Sequence, residues 1–498
     1  MNILQEFNDI DKSLPFAAAK WPYRVAFRSN GESISYLTLL RKAEAMAVTL
    51  RAVGVKPGDR VALALYKGLE MPIAIHAIWM VGAAFVPLDP MAPVERSTQI
   101  ISNCDTSVVV GAPRSSDLLQ RIALENKVVV VGASIPNCDC AVPDEQVTNF
   151  VCHENARDDL AYIIFTSGST GTPKGICHTF ASGSAFAHAW LRQYGLRPSD
   201  VFFNTVPLHF DFSLADFFTP PMVGATTELV KEQVLMFPAS LSQLLEESRG
   251  TIWSSVPYTF LQLCERGALE QRDLSHLRWI IYGGEPMPPS ALPILRNALS
   301  AKISNSYGPA EVNQVSEYTV PNDHPTDMPI PIGHNMDHAT FLRADDGELL
   351  VSSTSMMRGY WNRPDLNARC FATIKGKKYY RTGDRVKLDS EGRWVFLGRE
   401  DRQAKVRGYR VELDEIELAM NSHELVSEAA AIVSPDGSKI LGFAILADNQ
   451  ELEMSDFKGF LNSKLPGYMV PDELEFRKSF AKTSTGKINR RSLMETAK

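Results

Sequence analysis

The apolar run Tyr162-Ile163-Ile164-Phe165 leads directly into Thr166-Ser167-Gly168-Ser169-Thr170-Gly171-Thr172-Pro173-Lys174-Gly175. A short unbroken apolar run reads as a strand buried on both faces, and such strands belong in mostly parallel sheets covered by helices. The segment after it is a loop rich in hydroxyls and glycine, with one lysine. Its glycines let the backbone approach a ligand closely, and successive amides form a concavity for an anion. A nucleotide phosphate suits that concavity. The better-known phosphate loop, G-x-x-x-x-G-K-[ST], does not fit, because Lys174 follows Pro173 and precedes Gly175. A P-loop ATPase is therefore disfavoured.

Strand and helix patterns alternate around this stretch. Val25 to Phe27 and Ser33 to Tyr36 flank Asn30-Gly31, a hairpin signal. Residues 37 to 53 read as a helix closed by Gly54, and 181 to 194 as another. Val61 to Leu65, Val108 to Val110 and Val128 to Val131 read as buried strands, followed by strands near 201–205, 251–256, 279–281 and 301–304. The uncharged stretch 72–88 is interrupted by Pro and Gly and falls short of the roughly 20 residues a bilayer span needs. It is expected to be a buried helix followed by the strand 84–88, not a membrane segment.

After about residue 330, tight-turn signals such as Asp345-Asp346-Gly347 separate short strands, which predicts a β-rich subdomain. The charged run Gly398 to Gln403 reads as a boundary. Beyond it come a strand from Ala404 to Val411, a helix from Asp414, strands at 429–433 and 440–446, a helix at 454–465 and a terminal loop. A chain of 498 residues exceeds what one compact core accommodates. The expected fold class is α/β: a large N-terminal domain over 1–400, of mostly parallel helix-covered sheets plus the β-rich subdomain, and a small mobile α+β domain over 401–498.

The formal charge of −7, with no basic tract, makes nucleic acid an unsuitable partner, since that affinity rests on clustered cations. Seven cysteines, odd in number and without paired zinc spacing, read as reduced thiols of a cytoplasmic protein. No basic start precedes an apolar run at the N-terminus, so secretion is not indicated.

The stretch 160–175 resembles the phosphate-binding signature of the acyl-adenylate-forming (ANL) superfamily, in its nonribosomal peptide synthetase amino-acid-activating branch. Further motifs extend the resemblance over nearly the whole chain. Asn305-Ser306-Tyr307-Gly308-Pro309-Ala310-Glu311 is similar to the adenine-side motif, with Ala310 where Thr is usual. Tyr380-Arg381-Thr382-Gly383-Asp384 resembles the ribose motif, Gly398-Arg399-Glu400-Asp401 the domain junction, and Gly486-Lys487-Ile488-Asn489 the C-terminal lysine motif, with Asn489 where Asp is common.

The resemblance implies ATP and Mg²⁺ as cofactors. It places Thr166, Ser167, Gly168, Ser169, Thr170, Gly171 and Lys174 at the phosphates, Asn305 and Tyr307 around adenine, and Glu311 on Mg²⁺. Asp384 would take the ribose, with Arg399 near ribose or phosphate. Lys487 would act in adenylation with Lys174, and Asp401 would be the hinge of the small domain. These roles suit the residue types: a carboxylate accepts strongly from two hydroxyls, an aromatic face stacks on a base, and Mg²⁺ prefers oxygen ligands. Family members rotate the small domain between half-reactions, so that residues 404–412 would face a thiol tunnel with Gly408 leaving room for pantetheine.

Asp211, in His209-Phe210-Asp211-Phe212-Ser213, matches the aspartate that binds the substrate α-ammonium in the amino-acid branch. A buried ammonium requires such a counter-charge. A helix N-cap is the competing role for Asp211. The remaining pocket positions match Phe212, Ala215, Phe260, Ile281, Gly283, Ser306, Gln314 and Val315, none of them charged. The implied substrate is a small or medium neutral amino acid, with proline-like acids among the candidates. The chain ends soon after Lys487, so the acceptor is expected to be a separate carrier protein bearing phosphopantetheine, or a continuation of this polypeptide beyond the sequence given. Two other readings stay open: an acyl- or aryl-CoA ligase acting on a simple carboxylic acid, and a catalytically silent nucleotide-binding protein.

Overall fold

The computed structural model describes residues 9–112, 118–122, 129–132, 150–168, 172–399, 402–434, 436–447, 450–482 and 488–496. Two mixed sheets dominate the larger part. One, seven-stranded among the described residues, runs in the order Gly359–Tyr360, Lys174–Thr179, Leu160–Thr166, Ala84–Pro87, Arg60–Ala64, Val108–Gly111, Val129–Gly132. Its inner strands are parallel and almost wholly buried, as their apolar sequences require. The other, nine-stranded, has parallel pairing from Lys302–Tyr307 through Trp279–Gly283, Ile252–Ser255, Val201–Asn204 and Thr226–Leu229 to Val25–Ser29, with antiparallel strands at both edges.

A single hydrophobic core reaches both sheets, joining Val61, Phe85 and Tyr162 to Phe27, Phe202 and Ile281. Helices fill the space between them. Glu70–Met80 is buried along its length, and the Trp79 indole N–H donates to the Ala161 carbonyl at 2.9 Å, tying that helix to the signature strand. Phe180–Tyr194 starts in a capping box made by Thr179 and Ser182 and stops at Gly195, whose backbone is left-handed. No helix among the described residues is long and apolar enough to cross a membrane.

A five-stranded antiparallel sheet forms the β-rich part, with Lys377–Leu388 at its centre. The small C-terminal part has its own cores, made entirely of residues between 404 and 493. The fold is thus a large α/β domain with mixed sheets and a smaller α+β unit.

Four sequence expectations need correction. Lys174 lies in no loop: it opens the strand Lys174–Thr179, paired antiparallel with the signature strand. The strand containing Val129 and Val130 is an edge, leaving those side chains 45% and 37% exposed; Val128 lies outside the described residues. The expected strand from Ala404 to Val411 is a hairpin, Gln403–Val406 against Tyr409–Glu412, with Arg407 and Gly408 at φ 52° and 83°. Two left-handed residues make the tight turn whose twist suits a two-residue hairpin. Finally, the terminal loop contains a strand, Glu473–Phe476, and a helix, Arg490–Thr496.

Candidate functional site

Open α/β sheets bind ligands where the strands end. Here the residues that follow four parallel strands, from Thr205, Val256, Gly284 and Gly308 onward, meet the C-terminal hairpin around two cavities of about 70 Å³ and about 480 Å³.

Asp211, Phe212, Ser306, Gln314, Asp384 and Arg399 line the smaller cavity, with Gln403, Lys405, Gly408 and Arg410 from the hairpin. The Tyr307 hydroxyl donates to Asp384 Oδ2 at 2.6 Å, and Arg399 pairs with the same carboxylate while donating to the Thr382 carbonyl. Asn305 donates to the Pro331 carbonyl at 2.9 Å. The Ala310 carbonyl accepts from His178 Nε2 at 2.8 Å, so the turn is anchored through its backbone, without the missing threonine hydroxyl.

Glu311 is fully buried and accepts from the Tyr360 hydroxyl at 2.7 Å and from Arg410 Nη1 through both oxygens, at 2.7 and 2.9 Å. Burial pushes this carboxyl up, but Arg410 and Tyr360 outweigh it and hold it at about 2. Glu311 is therefore ionised and demands a cation, which fits a metal role. No group of three or more His, Cys, Asp or Glu capable of holding a metal occurs among the described residues. A single carboxylate is nonetheless what Mg²⁺ needs when substrate phosphates supply the other oxygens.

Gly168 approaches the carbonyl of Thr172 so closely that an added Cβ would sit 2.1 Å from that oxygen. Thr166 Oγ1 is buried and has no hydrogen-bond partner among the described residues. Lys174 pairs with Glu412 at 3.1 Å. Ser169, Thr170, Gly171, Asp401 and Lys487 lie outside the described residues. Around Lys487, Lys482 and Ile488 bridge to each other, and Arg490 pairs with Glu417, which also holds Arg402.

Asp211 opens a short 3₁₀ helix whose N-cap is Phe210, and no side chain caps it, so the capping role is not what Asp211 performs. Burial pushes its carboxyl up to about 6, moderated by the nearby Lys405 ammonium. Gly283 faces Phe212 and Ser306: an added Cβ would lie 3.3 Å from the Phe212 ring and 2.7 Å from the Ser306 carbonyl. The Gln314 amide donates to the Tyr194 hydroxyl at 2.8 Å, and its Oε1 is buried without a partner among the described residues. Ala215, Ile281 and Val315 are buried in the cores and do not line the cavity. Phe260 packs edge-on against Trp253, 4.7 Å between ring centres, in the core on the far side of the second sheet, so its place in the pocket is not supported.

The larger cavity is lined by Lys67, Asp89, Val256, Tyr258, Arg407, Tyr409 and Tyr468 among others. His209 and Phe210 line both cavities and form the wall between them. The hairpin is seated there by stacking: Tyr409 lies on Tyr468 at 4.1 Å and beside Phe210 at 6.4 Å. At its turn, a Cβ on Gly408 would lie 2.0 Å from Val256, and the Gly408 N–H donates to Glu285 at 2.9 Å. Only glycine combines that closeness with a left-handed backbone. Arg407 is held by two 3.0 Å contacts to Asp472.

Beyond expecting residues 404–412 to face a thiol tunnel, sequence reasoning gave no individual role to Gln403, Lys405, Arg410, Glu412 or Glu415. A signal was available, because Arg410 and Glu412 are two apart and so face the same side of a strand, an unusual use of opposite charges beside the buried Val411.

Among known proteins, the family described as AMP-binding enzyme matches residues 14–361, and the one described as AMP-binding enzyme C-terminal domain matches residues 415–487. The chain is similar to an L-proline–[L-prolyl-carrier protein] ligase of Pseudomonas fluorescens, with 30% identity over 95% of this chain and 96% of that one. It is also similar to gramicidin S synthase 2 of Brevibacillus brevis, with 30% identity over 99% of this chain but only 11% of that protein. Among solved structures it is similar to amide bond synthetase McbA from Marinactinospora thermotolerans, with a TM-score of 0.89 and 25% identity over 98% of this chain and 99% of that one.

Proposed function

The chain belongs to the AMP-binding enzyme family, an adenylate-forming ligase of the ANL superfamily, and we propose that its acid is a small or medium neutral amino acid, proline-like acids among the candidates, passed on to the phosphopantetheine thiol of a carrier protein. The observation that carries this proposal is Asp211: a carboxylate on the wall of the smaller cavity, on which two cations among the described residues, Lys405 and Arg410 of the small domain, act. A substrate ammonium would complete it, whereas a simple carboxylic acid offers nothing to pair with it. The uncharged lining contributed by Phe212, Ser306 and Gln314 supports a neutral side chain, and likeness to a prolyl-carrier-protein ligase supports proline as the first acid to try.

In the first half-reaction the acid's carboxylate oxygen bonds to the α-phosphorus of ATP as the bond to pyrophosphate breaks. Little covalent chemistry is asked of the protein, so positioning and charge neutralisation carry the rate. Asp384, pre-aligned by Tyr307 and Arg399, would accept from the ribose hydroxyls. Thr166, Ser167, the Gly168 amide and Lys174 would hold the phosphates, and Lys487 would reach the α-phosphate. Glu311 would hold Mg²⁺, which when bound neutralises charge on the departing phosphates. In the second half-reaction the thiol gives up its proton to water, its sulfur bonds to the acyl carbon, and AMP leaves with the electron pair of the C–O bond. The larger cavity, sharing His209 and Phe210 with the smaller one, offers the thiol arm its path.

Likeness to an amide bond synthetase supports a second reading, in which an amine takes the thiol's place. Pyrophosphate exchange across amino, aryl and short fatty acids, followed by intact-mass measurement of candidate carrier proteins and a parallel amine panel, tests all of this. Exchange with proline or another small neutral amino acid and a mass gain on the carrier is the expected result. Exchange with non-amino acids alone would overturn the substrate, and amide formation without carrier loading would overturn the acceptor.

A further inference from the structure

Gln314 stands on the wall of the smaller cavity with one end of its side-chain amide paired and the other not. The nitrogen donates to the Tyr194 hydroxyl at 2.8 Å, while Oε1 is buried with no hydrogen-bond partner among the described residues. A buried carbonyl oxygen that has lost water and gained nothing is costly, and a donor is what relieves it. Which end of the amide is left over is set from behind. Glu317 accepts from Ser304 Oγ at 2.8 Å, from Thr319 Oγ1 at 2.6 Å and from Gln193 Nε2 at 2.9 Å, and an ionised carboxylate only accepts. The single hydroxyl proton of Ser304 is thereby used, so at the 3.4 Å contact between Ser304 and Tyr194 the phenol is the donor. Burial pushes that phenol up, so it keeps its proton. Tyr194 then offers Gln314 lone pairs alone, and these take the NH₂ end. The reversed amide would leave the contact between Ser304 and Tyr194 without a proton to share. Packing holds the relay in place: Tyr194 and Ser304 are buried, and the Tyr194 ring lies 4.8 Å from Trp190 and 5.3 Å from Trp279 between centres.

We propose that Gln314 selects acids whose neutral side chain carries a hydrogen-bond donor, a hydroxyl or an amide N–H, and that Tyr194, Ser304 and Glu317 are positioning residues that hold Gln314 as an acceptor. The proposal rests on the assignment of the smaller cavity to the amino acid, with Asp211 taking its ammonium. A charged donor is disfavoured, because Lys405 and Arg410 line the same cavity and a further buried cation would face them without a counter-charge of its own. An apolar side chain of the same shape would cover Oε1 and leave it unpaired. A site that hydrogen-bonds its substrate rejects the analogue lacking the group far more strongly than an apolar pocket tells two isosteres apart. Threonine, asparagine and hydroxyproline belong to the favoured class, and valine, leucine and proline are their donor-free counterparts.

Pyrophosphate exchange with matched pairs, threonine against valine, asparagine against leucine and hydroxyproline against proline, tests the selection through the ratio of kcat/KM within each pair. In the wild-type protein the donor-bearing acid of at least one pair should lead by about tenfold to hundredfold. Gln314→Leu should bring that ratio to within about twofold of one. Tyr194→Phe keeps the ring against both tryptophans but leaves the amide free to turn, so the ratio should fall about threefold to tenfold. A change that merely loosened the fold would slow both members of a pair alike and leave their ratio in place. If Gln314→Leu does not fold, as judged by its thermal midpoint, Tyr194→Phe decides. Donor-free acids that match or lead their partners in every pair, or a ratio unmoved in the folded variant, would overturn the proposal. Absence of exchange with every acid would instead overturn the function above, while calorimetric Kd values for the unreactive sulfamoyl analogues of the same aminoacyl-adenylates, in wild type and Gln314→Leu, still decide the selection.

Discussion

The two faces of the site are built on opposite plans. On the large-domain face, functional side chains are held by their own neighbours: Tyr307 and Arg399 fix Asp384, Tyr360 supports Glu311, and Gln314 is braced by Tyr194. On the small-domain face, Arg410, Glu412 and Glu415 find partners across the domain boundary, in Glu311, Lys174 and Arg96. A group satisfied at home keeps its geometry whichever way the small domain sits. A group satisfied across the boundary has that geometry in one orientation only. Groups held within the large domain and groups held between the domains thus lie on opposite sides of the same candidate site.

Substitutions that act on one face but not the other break or sharpen this contrast. The largest effect is expected from Asp211→Asn, which leaves a bound ammonium without its counter-charge at a cost of about 3–5 kcal/mol, or about 10²–10⁴-fold in exchange activity. Its thermal midpoint should not fall, because the amide replaces a carboxyl whose charged form burial disfavours; exchange within a few-fold of wild type would show that Asp211 does not bind the substrate. Arg96→Ala comes next. It removes the ion pair of Glu415 across the domain boundary, leaving that carboxylate only the Gly168 amide, so thioester formation should drop about tenfold while pyrophosphate exchange changes little, as judged by the ratio of the two rates. Equal losses would mean that Arg96 serves the fold of the large domain instead.

A pH series gives a smaller effect. Burial raises the Asp211 carboxyl to about 6, so its charged form, the one that pairs with an ammonium, is lost as pH falls through that value. The KM for the amino acid should rise below about pH 6 and level off above it, and a flat profile between pH 5 and 7 would contradict the pairing. The smallest effect is expected at Lys439→Ala. Its pair with Glu473 is half-exposed on both sides and lies within the small domain. Such surface pairs contribute about 0–1 kcal/mol, and neither half-reaction rate should move.

How much of this was legible beforehand differed by region. The signature strand, the helices at 36–52 and 180–194, and the turns at Gly347 and Gly392 follow from local pattern, because apolar periodicity, caps and left-handed glycines act within a few residues. Two local errors have local causes. Arg407-Gly408 was passed over as a turn because the flanking residues continue a strand-like run, and Val129 and Val130 look like core residues until the order of strands puts them at an edge. Phe260 went astray for another reason: its helix, Pro257–Arg266, presents it to Trp253, and no alternation in the sequence tells which face of a helix looks toward a cavity.

The family was legible in short motifs, and the roles expected of Lys174, Asp211, Glu311 and Asp384 were read from the same motifs, since each needs only its own residue types in their own order. Which charges neutralise those residues in this orientation was decided by tertiary structure alone. Arg410 is 99 residues from Glu311 and Glu412 is 238 from Lys174. Electrostatic pairing acts over a few ångströms of space and is indifferent to distance along the chain, so only the packing of one domain on the other could bring these partners together.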